Sequence, residues 1–134
     1  MNAAAKRKGR GRVILAGMLE DPDLALLIKG SKLAVVPSLY EGFSLPMVEA
    51  MACGVPTIAS RTSCLPEISG NSLAYFDPLS IEDMAACIQK MLCDAGLRQC
   101  LRQRGINRAR EFTWQRCARQ TLNVLMAAGE ASRN

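Results

Sequence analysis

Glu41 and Glu49 stand with seven residues between them in the stretch SLYEGFSLPMVEAMACG, residues 38–54. Carboxylates accept hydrogen bonds from hydroxyls, so a pair at this spacing can hold two ends of one polyhydroxylated ligand. Pro46 suits a helix start and Gly54 a helix end. The amides of Phe43, Ser44 and Leu45 then fall at the helix head, without intrahelical acceptors and at the positive end of the dipole. That is a setting in which phosphate binds. Gly42 lets the chain turn tightly and lets a ligand come close. One ligand fits the order: sugar hydroxyls at Glu41, phosphates at the amides, a ribose diol at Glu49, as acidic residues serve in dinucleotide sites. On spacing alone, a capped helix bearing two solvated glutamates fits as well.

Positioning such a loop takes a sheet, and the chain supplies apolar runs that suit one. RVILAG (12–17), LAVVPS (33–38), VPTIAS (55–60) and LAYFD (73–77) are short and apolar throughout, the pattern of strands buried on both faces. Between them lie DPDLALLIKGS (21–31), with Asp21 as N-cap before Pro22, then PMVEAMACG (46–54) and LPEISG (65–70). After Pro78 the texture turns helical. Ser80 with Asp83 forms a capping-box-like start, Asp94 suits the cap of a second helix, and Thr113 the cap of a third. Strands alternating with helices predict an α/β fold: a parallel sheet of about four strands, helices on both faces, and three C-terminal helices. The 38–44 loop would leave the carboxyl end of LAVV, where ligands bind in open α/β sheets.

The chain has 134 residues, 49% of them hydrophobic, enough for one core. No apolar run reaches the ~20 residues of a membrane span, and no apolar segment follows the basic start as in a secretory signal, so a cytoplasmic location is expected. Five of the 17 basic residues lie within the first twelve positions, and the remaining twelve match the 12 acidic ones. Residues 1–11 therefore read as a disordered basic tail, 12–128 as the folded part and 129–134 as a frayed end. Nucleic acid is a poor fit to the tail, which has no interleaved aromatic. The 6 cysteines contain no CxxC, and the chain has no histidine. Reduced thiols on apolar helical faces and no metal site are expected. Catalysis by Ser-His-Asp or Cys-His is excluded.

The stretch PSLYEGFSLPMVEAMACGVPTIAS resembles the donor-binding core of retaining GT-B glycosyltransferases of family 4, often called group 1. The likeness continues through LPEISGNSLAYFDPLSIEDMAACIQKML and LRQRGINRAREFTWQRCARQTL, covering about residues 12–128. The resemblance implies that Glu41 is the catalytic-site residue, binding hydroxyls of the transferred sugar. It gives Gly42 and the amides of Phe43, Ser44 and Leu45 to the diphosphate, and Glu49 to the ribose. Ser44 stands where many members have glycine. Gly17, Met18 and Leu19 match a loop along the base. The implied substrate is a nucleotide-diphosphate sugar, with no metal or other cofactor.

The pattern also departs from the family. The resemblance implies a truncated Rossmann-like domain: an acceptor domain, and the first two strands of the donor domain with their diphosphate-neutralising Arg and Lys, are expected to be missing from this sequence. Donor binding is therefore expected, with transfer only beside a complementing acceptor domain. The alternative is a non-catalytic oligomeric or binding module. In the family's 3-2-1-4-5-6 order the absent strands sit between RVILA and LAVV. Either RVILA then pairs directly with LAVV, or another chain fills the gap. Homodimerisation through that edge is the preferred form.

Overall fold

The computed structural model describes residues 11–131. The expected fourth strand is not in it. Residues 12–16 take no regular structure, and Val13, Ile14 and Leu15 are 89%, 71% and 87% exposed. An apolar, β-branched run becomes a strand only when a neighbour accepts its ladder and a helix covers its face, and RVILA meets neither. It does not pair with LAVV.

What forms is a three-stranded parallel sheet in the order β1-β2-β3, from β1 (Ala34–Val36), β2 (Thr57–Ser60) and β3 (Ala74–Phe76). Register places Val36, Ala59 and Tyr75 side by side, with Val35, Ile58 and Ala74 as the adjacent row. Side chains alternate along a strand, so these rows face opposite layers. The Val36–Ala59–Tyr75 row meets α2 (Leu45–Ala52) and α3 (Leu65–Ser69) through Met47, Met51, Leu65 and Ile68. On the other face, Ile58, Ala74 and Phe76 pack with Met84, Ile88 and Met91 of α4 (Ile81–Cys93) and Leu97 and Leu101 of α5 (Ala95–Ala109). Helices thus cover both faces, and parallel crossovers force the apolar composition of the strands.

Helix α5 bridges the layers, with Leu101 in one cluster and Ala109 in the other. It approaches α2 at Gly105, where a Cβ would lie 3.3 Å from Met51 Cγ. Local signals set most helix ends. Asp83 N donates to Ser80 Oγ (3.1 Å), Leu97 N to Asp94 Oδ1 (2.8 Å) and Arg116 N to Thr113 Oγ1 (3.2 Å). The capping box is only half made, because the Asp83 carboxylate accepts from Asp77 N instead (2.7 Å). Gly54, at φ 72°, closes α2, and its amide donates to Met51 O. Helix α1 (Asp21–Lys29) takes Asp21 inside the helix, with Glu20 at the N-cap and no side-chain cap bond. Neither α1 nor α6 (Trp114–Ala131) contains a buried residue. Helix α6 reaches three residues into the 129–134 stretch read as fraying; 132–134 and the basic residues 1–10 lie outside the described residues.

All six cysteines are unpaired. Cys93, Cys100 and Cys117 are exposed rather than on buried faces, and Cys64 sits at the N-cap of α3. Burial, with Asp83 alongside, pushes the Cys87 thiol up, although Lys90 acts the other way. No helix among the described residues is long and apolar enough to cross a membrane.

Candidate functional site

Strand β1 ends at Val36, and the chain runs through Pro37 into the 38–44 loop at the carboxyl end of the sheet. Glu41, Gly42, Phe43, Ser44 and Leu45 are continuous there, and Glu49 follows as the fifth residue of α2, exposed to solvent. Among the described residues, nothing accepts a hydrogen bond from the amides of Phe43, Ser44 or Leu45. Three donors therefore lie at the positive end of α2 without a partner among the described residues.

The turn that presents them is made by Ser44, not by Gly42. Ser44 sits at the N-cap in the left-handed region, φ 69° and ψ 70°. Its side chain makes no cap bond, and its Oγ is buried without a partner in a residue only 4% exposed. A non-glycine residue held this way stores on the order of 1 kcal/mol or more. Gly42 has no positive φ, and a Cβ there would meet nothing within 4 Å. Its surroundings are open to an approaching ligand.

Glu41 is held on both sides. Ser38 Oγ donates to its Oε1 at 2.7 Å. Ser63, from the turn after β2, uses one hydroxyl twice: it donates to Glu41 O (2.7 Å) and accepts from Glu41 N (3.4 Å). Cys64 Sγ also donates to Glu41 O, at 3.1 Å. Thr62 Oγ1 donates to Ser38 O at 3.3 Å. The carboxylate is thereby oriented, with acceptor capacity left for hydroxyls of a ligand. Sequence reasoning missed Ser38, Thr62, Ser63 and Cys64. Their signal was topological: RTSC (61–64) leaves the carboxyl end of the strand beside β1.

Gly17, Met18 and Leu19 lie ahead of α1 in irregular chain, Gly17 at φ 69°, with Met18 exposed and Leu19 half-buried. The structure joins them to the 38–49 loop by no hydrogen bond.

The glycosyl transferases group 1 family profile matches residues 1–110, most of the chain. The chain belongs to the group 1 glycosyltransferases. It is 38% identical over 114 residues to O-antigen chain mannosyltransferase B of Escherichia coli, covering 85% of this chain and 30% of that protein. It is 41% identical over 110 residues to MMP alpha-(1->4)-mannosyltransferase of Mycolicibacterium hassiacum, covering 79% of this chain and 27% of the other. Among solved structures, sucrose-phosphate synthase from Thermosynechococcus elongatus superposes with a TM-score of 0.81 at 31% identity, over 90% of this chain and 31% of that one. The C-terminal domain of a group 1 glycosyl transferase (LpcC) from Francisella tularensis shares the fold, with a TM-score of 0.64 at 24% identity over 72% of this chain and 51% of that one. The chain thus spans 30% and 27% of the lengths of these two mannosyltransferases. Within this group 1 chain, the loop from Ser38 to Leu45 has the more built-up geometry of its two candidate ligand segments, the other being Gly17–Leu19.

Proposed function

We propose that this group 1 chain binds a nucleotide-diphosphate sugar. Glu41 accepts hydrogen bonds from the sugar hydroxyls, the amides of Phe43, Ser44 and Leu45 hold the diphosphate, and Glu49 accepts from the ribose. The observation that carries this reading is the cluster of three unpaired amides at the head of α2, directly after Glu41, whose carboxylate accepts from Ser38 and whose backbone is pinned by Ser63. When the sugar leaves, negative charge grows on the diphosphate, and preorganised amide donors stabilise it without reorganisation. Gly17, Met18 and Leu19 line the base in this proposal. Because relatives at 38% and 41% identity are named mannosyltransferases, a mannose nucleotide is the first donor to test. Turnover needs an acceptor positioned against the transferred sugar, and acceptor positioning belongs to a complementing domain.

Thermal denaturation with GDP, UDP and their mannose and glucose conjugates tests the reading. A saturable rise in Tm is expected with one nucleotide series, as binding to the native state alone requires, and Glu49→Ala should abolish it. No rise at millimolar concentration with any of them sinks the proposal.

A second reading, an oligomeric module, draws on the exposed Val13–Leu15 and on the open edge of β1, a parallel strand with a neighbour on one side only. It places a second copy, or a complementing chain, at that edge. Sedimentation equilibrium decides it: a monomer at every concentration removes self-association.

A further inference from the structure

Phe43, the first of the three residues with unpaired amides, has its ring packed against another element. Its ring meets Phe112 edge to face, with centroids 5.4 Å apart and planes at 80°. The guanidinium of Arg108 lies 5.0 Å from the centroid of the same Phe112 ring. Arg108 also anchors elsewhere. Its Nε donates to Ile68 O (2.7 Å) and its Nη2 to Glu67 O (3.1 Å), both in α3. Its Nη1 pairs with Glu111 at 2.6 Å. Helix α3 begins at Cys64, which with Ser63 holds the carbonyl of Glu41. The contacts therefore close on themselves: Glu41 to Ser63 and Cys64, along α3 to Arg108, to Phe112, to Phe43, and through Gly42 back to Glu41.

We infer that Arg108 and Phe112 are positioning residues for the donor loop, bracing the Phe43–Leu45 amides from behind. The inference rests on the donor-site reading above. Neither residue lies on the loop, and neither needs to touch the ligand. Hydrogen bonds hold Ser38 and Glu41, but the amides of the Phe43–Leu45 stretch, with its left-handed serine, make none among the described residues. A guanidinium fork and an aromatic pair supply the stiffness from outside. Preorganised donors lose their advantage when they must first be gathered, so a loosened brace should weaken phosphate binding and leave the rest of the site intact.

The test compares Phe112→Leu, which keeps apolar volume, with Phe112→Tyr, which keeps the ring, and with Arg108→Lys, which keeps charge but loses the fork. Two readouts are taken on the full chain: NMR backbone order parameters over 42–45, and affinity for GDP against GMP. Phe112→Leu should lower the order parameters at 42–45 while β2 stays rigid. It should weaken GDP by about tenfold, the upper end of an aromatic pair's worth, with GMP affected less. Phe112→Tyr should keep both near wild type, and Arg108→Lys should resemble Phe112→Leu. Unchanged order parameters at 42–45 overturn the brace, as do losses of order spread evenly through β2 and α2, or equal losses for GDP and GMP. The order parameters are read without ligand. A wild-type chain that binds no nucleotide therefore fails the donor reading by itself, and a loop unmoved by Phe112→Leu fails the brace by itself.

Discussion

Residues 33–60 and residues 12–29 have similar apolar composition, yet they end in opposite states. LAVV and TIAS become paired strands, and α2 between them buries Met47, Val48, Ala50 and Met51. RVILAG stays unpaired, and α1 buries nothing. Local propensity is much the same in both; what differs is the supply of neighbours. Around β2 there are strands on both sides and helices on both faces, so every residue of Thr57–Ser60 is buried. The 38–44 loop is grown from the end of the sheet where order comes from many directions at once.

The largest effect should come from breaking the well-supplied region. Phe76 closes β3 against α4, almost completely buried beside Ile58 and Met91. Phe76→Ala leaves a cavity between sheet and helix and should cost about 3–5 kcal/mol in urea unfolding. A loss under about 1 kcal/mol would mean that the sheet–α4 layer is not the stabilising core.

A smaller effect of opposite sign sharpens the contrast inside the ordered region itself. Ser44 carries two costs in one residue, a left-handed backbone and a buried hydroxyl without a partner. Glycine removes both. An unsatisfied buried hydroxyl costs ~1–3 kcal/mol and a left-handed non-glycine residue a similar amount, while glycine's extra unfolded-state entropy gives back ~0.5–1 kcal/mol. Ser44→Gly should therefore stabilise by about 1 kcal/mol or more and raise Tm by several degrees. A lowered Tm would show that the hydroxyl has a partner in solution.

Much of this was legible beforehand. The three strands that formed are the ones whose apolar runs are linked by helices with clear ends, such as Pro46 to Gly54. The caps at Ser80, Asp94 and Thr113 were readable because an N-cap is a local bond within three residues. The placement of Glu41, the three amides and Glu49 at the carboxyl end of β1 was readable because they lie in one stretch of chain. The failure at RVILA is also physical: a buried-strand pattern records what a segment would do beside neighbours, not whether they are there. Ser63, Arg108 and Phe112 escaped because each acts across 20 to 70 residues, and no periodicity marks a side chain that steadies a distant loop. Ser44 in place of Gly42 as the turning residue escaped because glycine is the default for a left-handed turn.

The smallest effect belongs to the poorly supplied region. Leu15 is almost wholly exposed, with no strand partner and no helix over it. Leu15→Asp removes no buried apolar area within one chain, so it should change unfolding free energy by less than about 0.5 kcal/mol at a dilution where the protein sediments as a monomer. In a buried strand the same change would add an uncompensated charge and cost several kcal/mol. The comparison with Phe76→Ala thus turns on one measurement at each end of the fold. A large loss in the monomer would place RVILA in a packed strand after all. A loss that emerges only as concentration rises would show that a second copy supplies the missing neighbours.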